Sequence, residues 1–214
     1  PDLPRSAPFD WRQATRAFVD PALRRANLGY LGHMWELYAM WTWVPLVLVG
    51  VWSNAGAPEG FGRVTAFAAV AAGAPGCLLA GVLADRYGRT AVASAAMLVS
   101  GGCALAAGWL FCRAGVMDVR IRLWGGRVVA DSAQFSAAIS ELCDPAYVGT
   151  ALAVQTAAGF LLTTVSIRLL PALLDALGPG LAFALLALGP AVGVRAMLAL
   201  RRMPEAVGMA GGRR

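Results

Sequence analysis

Two acid–base groups stand three residues apart in an otherwise apolar stretch, His33 and Glu36 between Leu28 and Trp41. At helical spacing such a pair shares one face, here with Met40 and Trp43. Burial favours the neutral form of a carboxyl group and an adjacent imidazole can relay its proton, so the pair reads as a site of proton exchange. A lone imidazole serves equally as a structural hydrogen bond between helices. Further along, Trp124, Arg127, Asp131 and Gln134 form a second stripe. Asp131 could answer protonation of Glu36, and Arg127 and Gln134 could bind a solute; the plainer alternative is that Asp131 neutralises Arg127. Gln155, Thr156 and Thr163 add further hydrogen-bonding groups for a solute.

Other chemistry is poorly served. His33 is the only histidine, no G-x-S-G run exists, and Asp131 has no partner aspartate at equal depth, so no catalytic residues and no enzyme are expected. Cys77, Cys103, Cys112 and Cys143 are dispersed without a C-x-x-C pair, which leaves no metal site. No phosphate-binding G-x-x-x-x-G-K-S/T loop is present, which argues against direct use of ATP, and no cofactor is expected.

The elements that must position these groups follow from composition. The chain has 214 residues, of which 58% are hydrophobic and 14% charged, with a mean hydropathy of +0.63. That is too much apolar surface for a core of this size, and it points to an all-α, polytopic membrane protein. A bilayer core of about 30 Å needs about 20 apolar residues per helix. Six transmembrane helices are predicted: Ala26 to Val51, Val64 to Ala84, Ala91 to Phe111, Val119 to Ile139, Gly149 to Leu169 and Gly180 to Leu200. Glu36 then lies about 15 Å into the first span, near the midplane. Pro75 and Pro190, each next to a glycine, are expected to bend the second and sixth spans. The fourth span carries Asp118, Arg120, Arg122 and Arg127, each costing about 2.5 to 3.5 kcal/mol near a helix centre.

The net charge of +6 comes entirely from arginine, since there is no lysine. Most arginines flank apolar stretches, a topology signal rather than a nucleic-acid interface. Arg5, Arg12, Arg16, Arg24, Arg25, Arg86, Arg89, Arg201, Arg202, Arg213 and Arg214 fall on one side, with Arg63 and Arg113 opposite. Both termini are therefore expected in the cytoplasm. Residues 1–25 read as a cytoplasmic linker with a helix lying among lipid headgroups, capped by Asp10 and broken at Pro21. Residues 26–202 form the bundle, and 203–214 a soluble basic tail.

The most specific run is Gly81-Val82-Leu83-Ala84-Asp85-Arg86-Tyr87-Gly88-Arg89-Thr90. Gly81 would let a neighbouring helix approach, Asp85 would accept from backbone N–H groups of a facing helix, and Gly88 would permit a tight reversal. Arg86 and Arg89 would pair with acidic or carbonyl groups across the gap, making a charge latch that can break. The run resembles the signature loop of the major facilitator superfamily, G-x-L-A-D-R-x-G-R and then a basic residue, except that Thr90 takes the last place. The segments LGYLGHMWELYAMW, VVADSAQFSAAISEL and GTALAVQTAAGFLLT likewise look like the seventh, tenth and eleventh helices of bacterial members. The arginine-rich approach and the basic tail suit the C-terminal six-helix half of that twelve-helix fold, whereas residues 113–127 depart from its pattern.

The resemblance implies a secondary transporter in a bacterial inner membrane that moves a small solute by alternating access. Protons would be the coupling ion, an N-terminal six-helix half the partner, and lipid the surroundings. It further implies that the first, second, fourth and fifth spans line a central cavity, with the third and sixth outside. The alternative is a non-transporting membrane protein, either a sensor or an inactive transporter fragment.

Overall fold

The structure, a computed structural model, describes residues 8, 10–110 and 131–213; of residues 108–110 only the backbone is described. Every regular element among them is helical. The charged run 113–127, with Trp124 and Arg127, lies outside the described residues, as does the fourth expected span up to residue 130.

A short helix, α1 (Trp11–Val19), opens the fold where Asp10 caps it by accepting the Arg12 N–H at 2.8 Å. It ends at Asp20, whose carboxylate accepts from Ala22 N and Leu23 N at 2.9 and 3.0 Å and so caps the next helix, which Pro21 begins. The cap and the break stand where the sequence places them, but α1 rests on the bundle through Ala14 and Ala17 and turns Trp11 outward.

The second helix, α2 (Pro21–Asn54), is the axis of the molecule: 34 residues, about 51 Å long. It is followed by α3 (Phe61–Ala71) and α4 (Gly73–Tyr87), one apolar rod interrupted at Ala72. The interruption comes just before Pro75, which has no N–H to offer the Ala71 carbonyl. Helix α5 (Arg89–Leu110) follows after a single residue, Gly88, whose φ of 93° turns the chain where a side chain would strain it. Beyond the gap come α6 (Ser132–Leu142), α7 (Val148–Ala184), a 3-10 turn at Leu185–Ala187 and α8 (Leu188–Arg201).

Helix α7 is really two helices. Gly178 adopts φ 75° and ψ 166°, and Pro179 begins the next segment. Contacts with α2 show the reversal. Asn27 meets Gln155 and Trp43 meets Ile167, so α2 and the first part of α7 run parallel. Gly29 meets Met197 while Gly32 meets Gly193 and Gly189, so α2 and α8 run antiparallel. The expected bend at Pro190 takes the form of the 3-10 turn that precedes it.

Packing relies on small residues. A Cβ on Gly32 would stand 2.9 Å from Gly193 N, and one on Gly29 would stand 2.7 Å from Met197 Sδ, so the backbones of α2 and α8 touch closely. Proline adds a second device: Pro171 leaves the Ile167 carbonyl without a helical donor, and the Trp43 indole N–H supplies one at 3.1 Å. The outside is apolar, with Phe67, Leu78, Val82, Leu161 and Leu181 all exposed. Among the described residues, four stretches are long and apolar enough to cross a membrane: Pro21–Asn54, Phe61–Tyr87, Arg89–Ala107 and Val148–Arg201. This arrangement is compatible with a multi-pass membrane protein.

The C-terminal segment does not hang free as a tail. Pro204–Gly212 forms turns packed against α6, with Ala206 and Met209 fully buried.

Candidate functional site

A buried polar thread runs through the bundle, and its central members come from α2 and from the residue that precedes α6. His33 Nδ1 lies 3.0 Å from Asp131 Oδ1, and both side chains are almost wholly enclosed. The imidazole is set by its neighbours: the Phe135 ring packs against it at a centroid distance of 5.4 Å and the Tyr30 ring at 6.4 Å. His33 Nε2 is buried with no hydrogen-bond partner among the described residues.

Glu36 is not the partner of His33. It is equally buried, but it faces α5, where the Ser100 hydroxyl donates to its Oε2. The spacing rule put both groups on one side of α2. It could not show that α6 would present a carboxylate to His33 while α5 presented a hydroxyl to Glu36. The third span, expected to lie outside the functional face, thus supplies a hydrogen-bond partner of Glu36.

Toward the arginine-rich end the thread continues through Gln134, one turn after Asp131 and also buried. Its Oε1 accepts from Arg89 Nη1 at 3.2 Å. Arg89 in turn grips Glu141 with two bonds, Nε to Oε2 at 2.8 Å and Nη2 to Oε1 at 2.7 Å. The second carboxylate oxygen also accepts the Ala210 N–H at 3.1 Å, so the same glutamate holds the C-terminal segment. Burial opposes ionisation of Glu141, but the Arg89 fork and the Ala210 N–H outweigh it and hold its carboxyl below the ordinary glutamate range.

The run around Asp85 is therefore a latch in part. Arg89 pairs across a gap and Gly88 makes the corner, as their types suggest. Asp85 is engaged through its backbone carbonyl, which accepts from the Arg213 guanidinium, rather than through bonds from a facing helix. Arg86 is exposed and sits 5.4 Å above the Tyr87 ring instead of reaching across. Among the described residues nothing lies within 4 Å of where a Cβ on Gly81 would be, whereas close approaches occur at Gly29, Gly32, Gly62, Gly159, Gly189 and Gly193, among others.

Of the remaining solute candidates, Gln155 is committed to structure. Its Nε2 donates to Asn27 Oδ1 at 3.0 Å, and Asn27 Nδ2 donates to the Ala17 carbonyl at 2.7 Å, tying α7 through α2 to α1. Thr156 is exposed beside Tyr30, and Thr163 bonds within its own helix to the Phe160 carbonyl at 2.8 Å. Asn27, Ser100 and Glu141 were missed as partners by sequence reasoning. The only available signal was a polar side chain within or beside an apolar run.

Among the described residues no cluster of His, Cys, Asp and Glu suits a metal ion. Comparison of the chain with protein-family models, with curated proteins and with solved structures finds no match.

Proposed function

We propose that the chain is a membrane-embedded six-helix unit of a secondary transporter, similar to the C-terminal half of a major facilitator, that couples solute movement to protons. The observation that carries this reading is the buried His33–Asp131 pair joined through α6 to the Arg89–Glu141 clasp. Ionisable groups enclosed among apolar helices are costly to bury, which makes them a functional hypothesis by default. Here Asp131 stands at the start of α6, whose far end is held by the breakable Arg89–Glu141 ion pair. In this reading a proton on the His33–Asp131 pair changes how α6 sits against α2, and the clasp transmits that shift to the cytoplasmic end. Glu36, held by Ser100, packs α2 against α5. The six crossings comprise α2, the α3–α4 rod, α5, the segment ending in α6, and the two limbs either side of Gly178. Both termini then share the bacterial cytoplasmic side with the arginines.

The test is reconstitution of the full chain, alone and with a matching six-helix half, in liposomes holding a pH-sensitive dye. Sugars, amino acids, carboxylates and organic cations are then added in turn. Solute-dependent proton movement that is lost in Asp131→Asn and kept in Glu36→Gln supports the reading. Proton movement unchanged in Asp131→Asn refutes the role of the pair. An absence of any solute-dependent flux, with the protein correctly inserted, favours a non-transporting membrane protein.

A further inference from the structure

Beside the clasp, four guanidinium groups gather around an open concavity of about 730 Å³ lined by Arg86, Tyr87, Leu198, Arg201, Arg202 and Arg213. Nothing in the transport reading uses it. All four arginines are exposed, and among the described residues none of them has a carboxylate within ion-pair distance. Arg213 is held in place by the Asp85 carbonyl and Arg86 by the Tyr87 ring, so two of the four charges are fixed without being neutralised. Such a cluster repels itself unless an anion occupies it.

The surroundings indicate which kind of anion. Leu188, Val192, Arg195, Leu198 and Arg202 follow one another at helical spacing along one side of α8, and all are exposed. The outer part of that stripe is apolar and the end near the concavity is basic. Arg195 also lines a second concavity, of about 400 Å³, with Arg24 and Arg25. A soluble phosphate would need only the charges; a lipid needs the charges and an apolar track leading away from them, and α8 provides both.

We propose that this concavity binds the phosphodiester headgroup of an anionic phospholipid, with an acyl chain lying along Leu198, Val192 and Leu188. Arginine forks match phosphate oxygens two at a time, which suits phosphatidylglycerol or the paired phosphates of cardiolipin better than a zwitterionic headgroup. Because Arg213 belongs to the segment that Glu141 holds through Ala210, a bound headgroup also pins that segment under the bundle. The proposal rests on the membrane reading above.

The full chain would be purified from membranes in mild detergent and its affinity measured for phosphatidylglycerol, cardiolipin, phosphatidylcholine and inorganic phosphate. Native mass spectrometry would follow the bound lipid. Anionic lipid is expected to bind selectively, and Arg201→Gln with Arg202→Gln to weaken it about 30-fold, from the surface attraction of two arginines. The Arg201→Lys, Arg202→Lys protein keeps the charge and is expected to stay within about fivefold of wild type. Equal binding of phosphatidylcholine, unchanged affinity in the double glutamine variant, or displacement of the lipid by millimolar inorganic phosphate each overturns the site. Recovery of the chain from the soluble fraction instead overturns the membrane reading, which separates the two failures.

Discussion

Replacing Glu141 by Gln removes the charge that receives three hydrogen bonds and so tests the clasp directly. Two of those bonds come from Arg89, at 2.8 and 2.7 Å, and the third from Ala210 N at 3.1 Å. A hydrogen bond to a charged group contributes about 1.5–3 kcal/mol when well shielded. The side chains here are 17% and 27% exposed, so solvent screens the pair and the three bonds together are worth about 1–2 kcal/mol. That corresponds to a five- to thirtyfold change in the ratio of closed to open arrangements. The assay is amide hydrogen exchange of the full chain in nanodiscs, followed at Ala206 to Gly212. Exchange at Ala210 is expected to quicken five- to thirtyfold in Glu141→Gln at pH 7. Acid provides a second handle of known sign. The folded carboxyl titrates below its ordinary value, so its contribution is complete above about pH 4.5 and disappears as pH falls through the depressed value. Exchanging the two partners, Arg89→Glu with Glu141→Arg, restores the ion pair but turns a cation toward the Ala210 N–H, and the segment is expected to stay unprotected. Exchange at Ala210 within twofold of wild type in Glu141→Gln would refute the claim that this glutamate holds the C-terminal segment.

Two further outcomes follow from packing. Gly32→Ala places a methyl group 2.9 Å from Gly193 N and is expected to cost about 1–3 kcal/mol in thermal unfolding; Gly81→Ala, facing open space, stabilises slightly. Asn27→Ala strips the Ala17 carbonyl and the Gln155 amide of their shared partner, with a cost of about 1–3 kcal/mol and earlier proteolysis near α1.

Several elements were legible before any tertiary contact was known. Asp10 before the first helix, Pro21 after it and Gly88 between two apolar runs each stop or start a helix through local chemistry alone, and the structure breaks the chain at all three. Partner choice was not legible. Among the described residues nothing stands within 4 Å of a Cβ on Gly81, while a close approach falls at Gly32, where α8 presents Gly189 and Gly193 opposite it. The segment after Met203 looked like a tail because its residues are small and its ends basic, yet burying Ala206 and Met209 against α6 needs only two apolar contacts in register.

By itself, the sequence determined the helical class, the apolar lengths, the gathering of arginines toward one side and the presence of His33, Glu36 and Asp131 inside apolar runs. Those properties depend on composition and on spacing within a single helix, where neighbours are set by 3.6 residues per turn. Only the tertiary structure decided that His33 meets Asp131, that Glu36 meets Ser100, and that Arg89, Glu141 and Ala210 close one end together. A helix has several faces and each can be claimed by a different neighbour. Which polar group finds which therefore depends on how helices far apart in the chain pack against one another.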